Sequence, residues 1–183
     1  MSFESPEQHD PRQQQWQETL RALDTIVDRL GMPIDERIKE TVAALKCMGF
    51  ETEASCEGHL ERGVKAPWVD FSPFSEDRKK VLREQIQQSE REEDRKELRR
   101  KARIEMLAGV ERLTHFLDDF YRGKETSFTT RLVLRFHPDS ARLYSQGAEL
   151  QELYPPDQRS QKLEEYQKEM ADFTAFLKQD FFS

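Results

Sequence analysis

Apolar positions follow two rhythms along this chain. Trp16, Leu20, Leu23, Val27 and Leu30 are spaced by three and four, which places them on one face of a helix. Asp10 suits its N-cap and Pro11 its first turn, where a missing N–H costs nothing. Gly31-Met32-Pro33 stops it. Ile34, Ile38, Val42 and Leu45 mark a second helix, from about Asp35 to Met48, and Gly49 stands where a left-handed residue closes a helix. Met106, Val110, Leu113, Leu117 and Phe120 share a third face. Leu163, Tyr166, Met170, Phe173 and Leu177 form the last, with Phe181-Phe182 at its tip.

The second rhythm has a period of two. Thr52 to Cys56 reads as a short strand. Residues 67–71, Pro-Trp-Val-Asp-Phe, read as another, with Trp68 and Asp70 on one face and Val69 and Phe71 on the other. Residues 127–137 are rich in β-branched and aromatic side chains and predict the best strand, stopped by His137-Pro138-Asp139. Residues 140–153 fit helix or strand equally. The fold class expected is α+β: a small sheet of three or four strands packed against amphipathic helices, in one domain over 1–183, with a flexible polar tail at 1–9.

Residues 75–122 read as helical and sit between strands. Positions 90–103 are charged except at Leu98 and Ala102. A serine with a glutamate three residues on, Ser89 and Glu92, fits a capping box, so a break near Ser89 is expected and the segment becomes a hairpin or arm. That choice bears on His137. A hairpin would return the chain so that the third strand runs with the first, bringing His137 to the end of the sheet where Cys56 lies. One unbroken crossover helix would leave it at the far end.

Charge narrows the function. The net charge is −7, which argues against indiscriminate binding to nucleic acid or anionic lipid. Arg95, Arg99 and Arg103 nevertheless share one side of the charged helix, a surface a protein or nucleic-acid partner could use. Glu92–Lys96 and Glu97–Lys101 are i,i+4 pairs that suit a merely solvated helix. Two cysteines in a chain of 183 residues suggest a reducing compartment rather than a disulfide framework. With no apolar stretch near the ~20 residues of a membrane span and no leader pattern, a cytoplasmic location without membrane contact is expected.

The distinctive chemistry lies in Gly49 to His59, Gly-Phe-Glu-Thr-Glu-Ala-Ser-Cys-Glu-Gly-His. Cys56 and His59 are three apart, so a turn can aim both at one point. Gly58 permits that turn and a close ligand approach. A neighbouring imidazolium would lower the Cys56 thiol pKa, and Glu57 offers a general acid or base. Cys56, His59 and Glu57 are therefore the candidate catalytic residues. Ser55, Gly58, Trp68, Asp70 and His137 are the candidate ligand-binding residues. A zinc site would need two further ligands from Cys47, His9, His115, His137 or carboxylates, and the sequence assigns no metal.

Residues 34–59 followed by 67–71 resemble a recurring module of uncharacterised small bacterial and phage proteins: a helix, Gly-aromatic-x-Thr-x-x-Ser-Cys-x-Gly-His, then a strand. The same stretch is distantly similar to the tRNA wybutosine-synthesising methyltransferase family, matching at Thr52, Ser55, Cys56, Gly58 and Trp68. Glu57 stands where that family has serine, and His59 where it has arginine. The resemblance covers about a fifth of the chain and implies a loop that holds a nucleotide-like ligand. The expected function is small-molecule or nucleotide-like ligand binding at Ser55–His59, with or without catalysis. The alternative is a non-enzymatic module that binds protein or nucleic acid through 90–103. No cofactor or reaction is indicated.

Overall fold

The structure is a computed structural model that describes residues 10–28, 30–137 and 140–183. The 1–9 tail with His9, and the Pro138-Asp139 stop, lie outside the described residues. In chain order the elements are α1 (Pro11–Leu23), α2 (Glu36–Cys47), β1 (Glu51–Cys56), β2 (Trp68–Ser72), α3 (Glu76–Gln88), α4 (Glu92–Tyr121), β3 (Leu132–Phe136), β4 (Ala141–Ser145), a short 3-10 helix (Ala148–Leu153) and α5 (Pro156–Phe182). The class is α+β, as expected.

The strands form one antiparallel sheet in the order β1-β2-β4-β3. Its inner face carries Val69, Phe71, Ala141, Leu143 and Leu132. These join Trp16, Ile38, Val42, Leu45, Leu113, Leu117, Met170, Phe173 and Leu177 in one continuous buried cluster. The expected alternation along β2 holds: Val69 and Phe71 are buried, while Trp68 and Asp70 are half-buried on the other face. Burial of this apolar surface is what holds helices to sheet, at roughly 25 cal/mol per Å² removed from water.

Helix ends obey local chemistry. The Asp10 carboxylate accepts from the Arg12 N–H at 3.0 Å and opens α1 beside Pro11. Gly49, at φ +80°, closes α2. Phe50 N–H donates to the Leu45 carbonyl and Gly49 N–H to that of Lys46, both at 2.9 Å, the bond pair of a Schellman closure.

Helix α1 ends at Leu23, about two turns earlier than the apolar spacing indicates. The Asp28 carboxylate captures the Leu30 and Met32 N–H groups at 2.8 and 2.9 Å, and a bridge pairs Val27 with Pro33. A short acid side chain that bonds the backbone ahead of it competes with the helix ladder. Val27 and Leu30 therefore leave the packing stripe and stand in solvent with Ile26 and Met32. A similar competition shortens β3. The Ser127 carbonyl accepts from Thr130 and Arg131, each at 3.1 Å, so residues 127–130 form a turn and the strand starts at Leu132.

The break near Ser89 is present, with a different cause from the capping box. Ser89 caps the C-terminus of α3: its N–H and hydroxyl both donate to the Gln85 carbonyl, at 3.1 and 2.7 Å. The N-cap of α4 is Arg91, and no side chain caps it. The segment is thus a hairpin, but an uneven one. At about 1.5 Å per residue, α3 with 13 residues is far shorter than α4 with 30. The C-terminal half of α4 runs back across the sheet before β3 begins.

This length difference corrects the expected strand direction. β3 starts near the Trp68 end of β2 and, with β4 between them, runs parallel to β2 and opposite to β1. His137 comes after Phe136, whose β4 partner Ala141 also faces Phe71. It therefore lies at the end of the sheet away from Cys56, whose partner is Trp68.

Candidate functional site

Edge strand β1 carries a register shift between Thr52 and Ala54. Thr52 pairs with Phe71, whereas Ser55 pairs with Val69 and Cys56 with Trp68. An extra residue in an edge strand re-aims the side chains beyond it, and here it sets the direction of the Ser55-Cys56 end. The chain then turns at Gly58, at φ +84°. A Cβ there would lie 2.7 Å from the Ala66 carbonyl carbon and 2.8 Å from Leu163 Cδ1. Glycine is required at this point both for its backbone conformation and for space. His59 is anchored by its N–H to the Val64 carbonyl at 3.2 Å.

The turn does bring Cys56 and His59 together, and it adds a residue that sequence reasoning left among unnamed carboxylates. Asp35, Cys56 and His59 present ligating atoms that all lie within 4.8 Å of one another, and each residue is partly buried. His59 Nε2 is 3.3 Å from Asp35 Oδ2. Gly58 N–H donates to Cys56 Sγ at 3.3 Å. Arg62 lies 3.5 Å from the same imidazole nitrogen.

Asp35 and Glu57 have exchanged the roles their positions suggest. Asp35 is the N-cap of α2, yet its side chain makes no cap bond. Its Oδ2 instead accepts from the Glu57 N–H at 3.1 Å. The Glu57 carboxylate accepts from the Arg37 N–H at 3.0 Å, so it caps α2 from across the loop. A carboxylate at a helix N-terminus is stabilised by the free N–H groups and the dipole. Glu57, a candidate acid or base by sequence, is thus committed to holding α2 against the loop. An aspartate at the N-cap position was the available signal for Asp35, but spacing does not show where its side chain turns.

The thiol is not activated as expected. Burial, and then the adjacent Asp35 carboxylate, push the Cys56 thiol above its ordinary range, against the Gly58 N–H that favours thiolate. A carboxylate beside both side chains supplies negative charge where the sequence suggested only an imidazolium. Cys47 is likewise raised, chiefly by burial, and donates to the Thr19 hydroxyl at 3.5 Å.

Asp35, Ser55, Cys56 and His59 line a cleft of about 430 Å³ between β1 and residues 26–28 and 30–34. Ile26, Val27, Leu30 and Met32 form its apolar wall. These four are 45, 57, 86 and 50 % exposed, an unusual concentration of large apolar side chains in solvent.

The other candidate residues do not line this cleft, although Trp68 is the cross-strand partner of Cys56. Trp68 and Asp70 are on the outer face of the sheet, claimed by Arg142 of β4. That guanidinium donates to both Asp70 oxygens at 2.7 and 2.8 Å and sits 3.9 Å above the Trp68 ring. Asp70 and Arg142 are cross-strand partners, so the pairing is a consequence of register. Neither Trp68 nor Asp70 lines the cleft. His115 is exposed on α4. On the charged helix, Arg95 and Arg99 each lie 3.6 Å from Glu92, and Arg95 also donates to the Ser89 carbonyl at 2.8 Å. Arg99 and Arg103 border the groove between α3 and α4.

No helix among the described residues is long and apolar enough to cross a membrane. Comparisons with protein-family models, curated proteins and solved structures find no match to this chain.

Proposed function

We propose that this protein binds a small organic molecule in the cleft beside β1, with an apolar body against Ile26, Val27, Leu30 and Met32 and a polar end at Ser55, Cys56 and His59. The observation that carries this reading is the juxtaposition of an exposed apolar wall with a convergent polar cluster in one cavity of about 430 Å³. Concave sites of a few hundred Å³ with apolar walls and a few convergent polar groups are the usual form of a small-molecule site. A nucleoside, with a planar base and a hydroxylated sugar, has this two-part character and accords with the resemblance of the Ser-Cys-x-Gly turn.

The test is methyl and imidazole NMR on the full chain with adenosine, guanosine, uridine and a fragment set as probes. Shift changes should cluster at Ile26, Val27, Met32 and His59. Met32→Glu, which places a charge in the apolar wall, should weaken binding at least tenfold. If no probe perturbs these resonances at millimolar concentration, or if changes gather at the Trp68–Arg142 face instead, the reading fails.

A further inference from the structure

Asp35, Cys56 and His59 come from three different places in the chain: the N-cap of α2, the last residue of β1 and the loop beyond it. We infer that they form a binding site for a divalent ion of the zinc class. The site has three protein ligands and a remaining coordination position on the cleft. The ion would share the cavity of the small-molecule reading, and its binding does not depend on that reading.

Ligand chemistry is the first reason. Thiolate sulfur, imidazole nitrogen and carboxylate oxygen are the three protein donors that zinc takes. A thiolate with an imidazole selects against magnesium and calcium, which prefer oxygen alone. One thiolate and one carboxylate also neutralise a 2+ ion.

Geometry is the second. In a tetrahedral zinc site the ligand atoms lie roughly 3.3–3.8 Å apart, given metal–ligand bonds of about 2.0–2.3 Å. The three atoms here are already within 4.8 Å of one another, and His59 Nε2 is 3.3 Å from the Asp35 oxygen. Reaching tetrahedral spacing requires these separations to close by at most about 1.5 Å.

Support around the ligands is the third. Metal ligands are held by outer hydrogen bonds that fix their orientation. Asp35 Oδ2 receives the Glu57 N–H, and Cys56 Sγ receives the Gly58 N–H. Glu57 takes over the capping of α2 through the Arg37 N–H, so the aspartate is not needed to finish its own helix. Had Asp35 capped α2 in the ordinary way, its carboxylate would face the helix and not Cys56. The cap exchange is a specific arrangement that an ordinary Asp–His ion pair does not require.

Because all three residues line the cleft, an ion held by them would keep its fourth position toward that space. Three protein ligands with one open position are the pattern of sites that polarise a bound oxygen rather than sites that only brace a fold.

The experiment uses the full chain, stripped by a chelator and then titrated with Zn²⁺ against a chromophoric competitor, and with Co²⁺ followed by absorption. One equivalent should bind. The Co²⁺ form should show thiolate-to-metal charge transfer together with tetrahedral d–d bands. Cys56→Ser should abolish the charge-transfer band, and Asp35→Asn and His59→Ala should each weaken Zn²⁺ at least tenfold. Cys47→Ser should change neither. A measurement on the wild type guards against unfolded variants: Zn²⁺ should slow alkylation of Cys56 but not of Cys47, read by peptide mass. Absence of stoichiometric binding, a Co²⁺ spectrum without the thiolate band, or equal Zn²⁺ affinity in Cys56→Ser would overturn the site. Nucleoside or fragment shifts at Ile26 and Met32 in the metal-free protein would be unaffected by that failure. Metal binding without such shifts would leave the ion site standing alone.

Discussion

Gly58 shows how much one residue controls at this site. Its φ of +84° and the 2.7 Å approach to Ala66 mean that any side chain is strained twice, by conformation and by space. Gly63 has φ +60° and a Cβ there would meet nothing within 4 Å, so it carries only the conformational part. Gly63→Ala should therefore cost about 1 kcal/mol, and Gly58→Ala about 3 kcal/mol, with a backbone shift of the turn added. Denaturant unfolding of both variants measures the difference directly. Equal losses would mean that the turn opens freely and that the close approach to Ala66 and Leu163 is not maintained in solution. At this scale the Cys-x-Gly-His pattern was readable, because a glycine between two polar residues signals a turn. The partner Asp35 was not readable, because twenty-one positions separate it from Cys56 and only the fold brings them together.

Among the elements, α3 and the N-terminal half of α4 are the least committed to the core. Helix α3 buries no residue, and α4 buries Met106 and residues beyond it. Arg95 and Arg99 pair with Glu92, and Arg100 with Glu97, within the arm. Exposed ion pairs of this kind contribute a few tenths of a kcal/mol each. Changing Arg95, Arg99 and Arg103 together to glutamate should alter unfolding free energy by about 1 kcal/mol or less. Amide exchange should show α3 opening well before the C-terminal half of α4. A loss of several kcal/mol in the triple variant would show that the groove bordered by Arg99, Arg103, Ile86 and Met106 is a structural centre. The break itself was visible as a loss of apolar residues after Ile86. Its mechanism was not, since Ser89 could cap either the helix before it or the one after.

At the scale of the whole molecule, two buried phenols contribute to the response to alkaline pH. Burial raises the phenol pKa of both Tyr121 and Tyr166, with Tyr154 adding to the shift of Tyr166. The Tyr121 hydroxyl accepts the Leu132 N–H at 2.7 Å and ties α4 to the edge strand β3. The Tyr166 hydroxyl has no hydrogen-bond partner among the described residues. A group whose folded pKa is raised favours folding fully below its unfolded pKa, about 10 for tyrosine. That contribution is lost as pH rises through the folded value. Stability should therefore fall steadily above about pH 10. Tyr166→Phe keeps the buried ring and removes one titrating group, so its denaturation midpoint should fall less steeply over that range while changing little at pH 7. An alkaline limb identical to wild type would show that Tyr166 ionises freely and is not enclosed in the folded state.

What the sequence by itself determined is what local chemistry decides. Apolar spacing set the faces of α2, α4 and α5 and the two sides of β2. Proline and glycine set the start of α1 and the end of α2. The Ser-Cys-Glu-Gly-His turn was legible because every residue that makes it a turn lies within it. The tertiary structure decided the rest. The unequal lengths of α3 and α4 reversed β3 and carried His137 away from Cys56. Strand β4 placed Arg142 beside Asp70 and over Trp68, engaging two candidate site residues that do not line the cleft. The Thr25 hydroxyl, donating to the Ala22 carbonyl, caps the end of α1, and the loop bonds of Asp28 beyond it moved Val27 and Leu30 from an expected core stripe to the wall of the cleft. The exchange between Asp35 and Glu57 rests on contacts twenty or more positions apart in the chain. Such contacts have no periodicity to announce them, because the distance between two side chains in a fold is set by every element packed between them.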